Sequence, residues 1–88
     1  MAETPIDRRS RLAPYEQVAQ TLGREIKGGA YGVDGPLPGE KALAERFGVV
    51  RETVRSALDV LRRDGLVETL RGKGTFVMPG VVEVDRSE

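Results

Sequence analysis

Arg51 and Arg55, with Glu52 and Thr53 between them, are the residues of this 88-residue chain best equipped for specific chemistry. A guanidinium is a planar donor that pairs bidentately with a carboxylate, a phosphate or the edge of a guanine. A threonine hydroxyl donates to phosphate, and a carboxylate accepts from the amino group of cytosine. Lys41 adds a cation upstream, and Arg71-Gly72-Lys73-Gly74 adds two more beside glycines that permit a tight turn. Covalent chemistry has little to work with. The chain has no His and no Cys, which removes thiolate nucleophiles, Cys or His zinc sites, disulfides and the commonest general base. No glycine-rich phosphate motif is present either, so the chain is expected not to be an enzyme and to need no metal or cofactor.

Charge placement matters more than its sum. Fourteen Lys plus Arg balance fourteen Asp plus Glu, a net charge of zero, so composition alone gives no argument for a nucleic-acid partner. Residues 36–79 carry eight basic and six acidic side chains, net +2, whereas residues 80–88 carry one basic and three acidic, net −2. No segment approaches the length of a membrane span, and Met1 to Ile6 lacks the basic start and apolar run of a signal peptide, so a cytoplasmic protein without membrane contact is expected.

The elements that must position these residues can be read from periodicity. Tyr15, Val18, Ala19, Leu22 and Ile26 fall on one face of a helix that Pro14 can open and Gly28-Gly29 can close. Gly28 to Gly39 holds five glycines and two prolines and reads as a loop with room for one short strand. Leu43, Ala44 and Phe47 mark a second, shorter helix stopped at Gly48. Val49 and Val50 separate it from a third helix, about Arg51 to Asp64, whose apolar face is Val54, Leu58 and Leu61. Leu66 to Leu70 and Thr75 to Met78 then form a hairpin around Arg71-Gly72-Lys73-Gly74. The fold class is α+β: a helix-turn-helix of three helices in all, with a trailing β-hairpin wing.

At about 100° per residue, Arg51, Arg55 and Arg62 share one solvent-facing edge of the third helix. Asp59 could pair with Arg55 and Arg62 and leave an ordinary solvated face. Against that, Arg51 and Arg55 stand in the N-terminal half of the second helix of a helix-turn-helix, the part that enters the major groove. Lys41 begins the preceding helix, where the dipole favours a phosphate, or it is an ordinary exposed lysine. The wing tip is either a tight turn only or a backbone and minor-groove contact.

Leu37-Pro38-Gly39-Glu40, Leu43-Ala44, Phe47-Gly48-Val49, Arg51, Thr53-Val54-Arg55, Gly65-Leu66-Val67 and Gly72-Lys73-Gly74-Thr75-Phe76-Val77 together resemble the DNA-binding domain of the GntR family of bacterial transcription regulators. The match reaches upstream to Pro14-Tyr15-Glu16-Gln17-Val18-Ala19, and its spellings are nearer the HutC-like branch than the branch with all-helical effector domains. The resemblance implies a winged helix-turn-helix that regulates transcription, as a repressor, by binding double-stranded DNA sequence-specifically. It implies a homodimer on a palindromic operator, with Lys41, Arg51, Glu52, Thr53, Arg55, Arg71, Gly72 and Lys73 as the DNA-binding residues. In the family a C-terminal effector domain usually supplies dimerisation and ligand response; nothing after Pro79 is long enough to form one, so an excised domain or a minimal regulator is expected, and a small-molecule effector only with a further domain. A protein-interaction or architectural module of the same fold is the alternative, supported by the zero net charge.

Two positions depart from the family pattern. Gly39 and Val50 stand where a serine or threonine is common, and Ala42 stands where an acidic residue would complete a capping box. Losing a hydroxyl cap costs roughly 1 kcal/mol. By organisation, residues 1–13 read as a flexible basic arm carrying Arg8, Arg9 and Arg11, 14–79 as the DNA-binding domain, and 80–88 as an acidic tail or the start of a linker.

Overall fold

In a computed structural model, which describes residues 6–83, the apolar periodicities become α1 (Pro14–Lys27), α2 (Glu40–Phe47) and α3 (Arg51–Arg63), followed by strands β1 (Val67–Leu70) and β2 (Gly74–Val77). Each helix buries the stripe that its spacing marks: Val18, Leu22 and Ile26 from α1, Leu43 and Phe47 from α2, and Val54, Leu58 and Leu61 from α3. Burying a side chain of this kind stabilises by about 1.5–3 kcal/mol, so these residues set how the helices pack. Tyr15 is the exception on the first stripe, since it stays exposed at the start of α1.

Between α2 and α3 the chain must reverse within three residues. Gly48 does this in the left-handed conformation (φ +67°, ψ +38°), and the Val49 N–H donates to the Ala44 carbonyl across the turn. With no Cβ, glycine takes that conformation without the steric cost that other residues incur.

The wing has more strand than the hairpin alone. β1 and β2 pair antiparallel, from Val67 opposite Val77 to Leu70 opposite Gly74, and Val67 and Val77 turn their side chains into the core. Pro36 makes a further antiparallel bridge to Phe76: the Leu37 N–H donates to the Thr75 carbonyl (2.9 Å) and the Val77 N–H to the Gly35 carbonyl (3.0 Å). The ladder bonds come from the neighbours of Pro36, so the missing proline N–H costs nothing at this edge position. The short strand expected between Gly28 and Gly39 is this segment.

Both ends carry contacts that the sequence did not announce. In the inner part of the expected arm, the Asp7 N–H donates to Gln17 Oε1, Gln17 Nε2 donates to the carbonyls of Asp7 and Leu12, and Ile6 lies half-buried against the core. At the other end Val81 and Val82 pack against the core, and the Glu83 N–H donates to the Lys27 carbonyl at 2.7 Å. Charge and composition hid both, because a few well-placed backbone bonds hold segments that lack any periodic pattern. Residues 1–5 and 84–88, the outer parts of the expected arm and tail, lie outside the described residues.

A polar cluster joins α1, the following loop and α2. Arg46 grips the Glu25 carboxylate with both terminal nitrogens, Tyr31 donates its hydroxyl to Glu25 Oε1 (2.6 Å), and the Arg46 guanidinium lies 4.7 Å from the centre of the Phe47 ring. The Arg46 hydrogen bonds hold the Glu25 carboxyl below its ordinary range against the opposing effect of burial. Burial first, and then the Glu25 carboxylate, push the Tyr31 phenol up to about 12. Glu25, its folded value depressed, contributes stability above its ordinary range and loses it as pH falls through the folded value. Tyr31, its folded value raised, contributes fully below 10 and loses that contribution as pH climbs through about 12. Urea denaturation between about pH 9 and 12 should therefore show Tyr31→Phe less stable than the parent at the lower end and the gap closing above pH 10. A gap independent of pH would show that the phenol titrates normally.

Candidate nucleic-acid interface

The geometry of α3 follows from its apolar face. With Val54, Leu58 and Leu61 turned inward, Arg51, Glu52, Arg55 and Arg62 emerge to solvent. Arg51 opens onto a hollow shared with Lys41 from α2 and with the half-buried Thr53. Arg55 opens onto a second hollow, between α3 and the wing, that Arg71, Gly72 and Lys73 line from the other side. Of the eight residues expected at the site, the structure thus brings Lys41, Arg51 and Thr53 together in one hollow and Arg55, Arg71, Gly72 and Lys73 in the other. Glu52 lines neither; it is exposed on the first turn of α3.

The wing tip is shaped by its glycine. The Lys73 N–H donates to the Leu70 carbonyl (2.9 Å), closing a four-residue turn, and Gly72 occupies its third position at φ +77°. A positive φ at that position alone is the mark of a type II turn, which demands glycine there. Arg71 and Lys73 flank it, both exposed. Three residues, Arg71 to Lys73, separate the strands, since Gly74 is already the first residue of β2.

Ion pairing sorts the arginines differently from the local expectation. Asp59 pairs with Arg62, three residues away, and not with Arg55. Arg62 also donates to Thr69 Oγ1 (2.5 Å), which lies 3.2 Å from Thr75 Oγ1 across the strands, so α3 is tied to the wing through this chain. Arg55 Nε instead donates to both carboxylate oxygens of Glu40 at the start of α2, at 3.0 and 3.1 Å. Spacing along one helix could not reveal Glu40 as the partner; only the crossing of α2 and α3 sets them side by side. The pair occupies Nε, and among the described contacts the terminal nitrogens of Arg55 remain open. A third contribution that spacing missed is Arg8, whose Nη2 donates to the Gly48 carbonyl (3.2 Å) and whose side chain lines the hollow of Lys41 and Arg51.

The helix starts lack side-chain caps. Gly39 precedes α2 and Val50 precedes α3, both extended, and neither supplies a capping acceptor. Val50 is 64% exposed. At α1 the Glu16 carboxylate reaches back to the Ala13 N–H (2.8 Å), half of a capping box.

A helix-turn-helix with cations along its second helix, followed by a β-wing with a cationic tip, defines the winged helix-turn-helix class. Comparison with known proteins agrees. The family described as "Bacterial regulatory proteins, gntR family" matches residues 14–77, and the chain belongs to that family of regulators, which are not enzymes. The HTH-type transcriptional repressor NagR of Bacillus subtilis (strain 168) is 44% identical over 72 residues, 82% of this chain and 30% of NagR. The histidine utilization repressor of Klebsiella aerogenes is 40% identical over 70 residues, 78% of this chain and 29% of that protein. Among solved structures, AraR(DBD) in complex with operator ORE1 superposes with a TM-score of 0.73 at 34% identity, covering 88% of this chain and 94% of that one. The chain spans about 30% of the length of the curated relatives named above.

The exposed, uncapped Val50 generates a prediction. Val50→Ser should stabilise the free domain by about 1 kcal/mol by supplying an acceptor to the first N–H groups of α3. Thermal denaturation checks it, with an expected rise of about 4–8 °C for a domain of this size. An unchanged melting temperature would show that water already satisfies those groups.

Proposed function

We propose that the chain binds double-stranded DNA sequence-specifically as the operator-reading part of a transcription repressor in a bacterial cytoplasm, with residues 14–79 as the binding unit. The observation that carries this is the placement of Arg51 and Arg55 on the outward edge of α3, each opening onto a hollow lined by further cations. In this reading Arg51 and Arg55 contact base edges, where a bidentate arginine discriminates guanine by about 1–3 kcal/mol. Glu52 accepts from a cytosine or repels wrong bases. Lys41 and Thr53 hold phosphates beside the first helix turns, and Arg71, Gly72 and Lys73 reach the backbone or the minor groove. The repressor function of NagR and of the histidine utilization repressor, and the operator bound to AraR(DBD), support the reading. So does the absence, among the described residues, of any helix long and apolar enough to cross a membrane. A two-fold dimer on a palindromic operator, and a ligand response supplied by a further domain, complete the proposal.

Binding should weaken steeply with salt, because a single winged domain makes about four to six phosphate contacts and log K falls by about 0.9 per contact for each decade of salt. Arg55→Ala should cost about 1–3 kcal/mol at one base pair only, whereas Lys73→Ala should weaken all duplexes alike. Fluorescence anisotropy titrations on selected and scrambled duplexes measure both. A flat salt response would favour a protein-interaction module, and equal weakening of matched and mismatched sites by Arg55→Ala would remove its role as a base reader.

A further inference from the structure

We infer that Arg8, which lies outside the residues matched to the family, is a DNA-backbone contact that completes the hollow at the start of α3; the inference rests on the DNA-binding reading above. Three cations from separate segments converge there, Arg8 from the stretch before α1, Lys41 from α2 and Arg51 from α3, with Glu45 the one acidic side chain among the described residues lining the hollow. Arg8 is held in place at both levels of structure. Its neighbour Asp7 is fixed to Gln17 of α1 by reciprocal hydrogen bonds (2.8 Å each), and the Arg9 N–H donates to Asp7 Oδ1 (2.9 Å). Its guanidinium spends Nη2 on the Gly48 carbonyl (3.2 Å), at the turn of the helix-turn-helix. The remaining nitrogens carry no protein partner among the described contacts, and a guanidinium fixed by one edge presents the other as a preformed donor pair for phosphate oxygens.

The neighbouring chemistry explains why a donor is wanted at this place. Val50, at the same hollow, has no polar side-chain atom and is largely exposed, so it neither caps α3 nor bonds a phosphate. A phosphate approaching the first turn of α3 meets hydrocarbon there, and Arg8 supplies charge and donors across it from another segment. Arg9 and Arg11 are exposed but do not line the hollow, so the assignment separates one arginine of the basic cluster from its neighbours.

Arg8→Ala, Arg8→Lys and Arg9→Ala in the 88-residue chain test this by titration against a scrambled duplex of about 20 base pairs, two helical turns, at several salt concentrations. Losing one phosphate contact should make the slope of log K against log salt shallower by about 0.9, equivalent to about eightfold weaker binding at 0.1 M salt. Arg8→Lys should restore most of the slope, Arg9→Ala should leave it unchanged, and all three should melt close to the parent. If Arg8→Ala leaves the slope unchanged, with or without a lower melting temperature, the arginine serves only the turn and the assignment falls. An equal change in slope for Arg9→Ala would show diffuse attraction to the arm and overturns it too. A flat slope in the unsubstituted chain is the distinguishable failure of the DNA-binding reading itself, and takes this one with it.

Discussion

The constraint on which the site depends is the one-sided apolar stripe of α3. Val54, Ala57, Leu58 and Leu61 are buried against α1, α2 and β1, and rotating the helix by a single residue, about 100°, would withdraw most of them from the core. At about 1.5–3 kcal/mol per large side chain, that rotation would cost about as much as the whole stability of a small domain. The exposed edge is therefore fixed by what is buried, and Arg51 and Arg55 point outward because the core admits no alternative.

Electrostatics acts on a smaller scale within that frame. An exposed ion pair contributes about 0–1 kcal/mol, while a bidentate arginine on guanine is worth about 1–3 kcal/mol of discrimination. The Glu40–Arg55 pair therefore cannot lock Arg55 away from DNA. Its geometry restricts the flexible arginine through Nε and leaves the terminal nitrogens open; in the proposed reading they meet a base, and the restriction lowers the ordering entropy that binding must overcome. Arg62 is used differently: paired with Asp59 and bonded to Thr69, it fastens the wing to α3. A local count of cations on the helix edge would treat the three arginines as equivalent; their partners divide them into one without an ion pair among the described residues, one oriented and one structural.

What was legible in the sequence has a physical pattern. Helices and hairpin could be read because periodicity, the glycine stops and the Arg-Gly-Lys-Gly turn are local signals, resolved within a few residues. Room for one short strand between Gly28 and Gly39 was legible, but its place at the Pro36 bridge was not, because a proline-containing segment pairs here through its neighbours and carries no alternation. Asp59 was visible as a helix-spaced partner and did take Arg62, but Glu40 took Arg55 across two elements, a contact decided by helix packing. Arg8 was harder still: its contact with Gly48 spans forty residues of chain and depends on the Asp7–Gln17 bonds that hold its segment. Roles in binding were legible only as far as residue type and placement on α3 or the wing allowed.

The zero net charge then ceases to argue against a DNA partner. At physiological ionic strength exposed charges are screened beyond about 8 Å, so a phosphate at the start of α3 responds to the side chains lining that hollow and hardly to the chain as a whole. There the described lining holds three cations and one anion. In the hollow between α3 and the wing, Arg55 and Arg62 already balance Glu40 and Asp59, and the two wing-tip cations, Arg71 and Lys73, remain as the local excess. Counting each ion-paired acid with its arginine, the lining of each hollow is thus positive by about two charges on a chain whose sum is zero, with Glu52 on the first turn of α3 outside both linings. The acidic side chains that cancel this in the total lie outside the two linings, Glu83 among them, whose segment is held at the C-terminal end of α1; Glu25 is already neutralised by Arg46 between α1 and α2. In the proposed reading, this distribution of charge attracts a DNA backbone along α3 and the wing without the self-repulsion that a uniformly basic small domain would have to withstand.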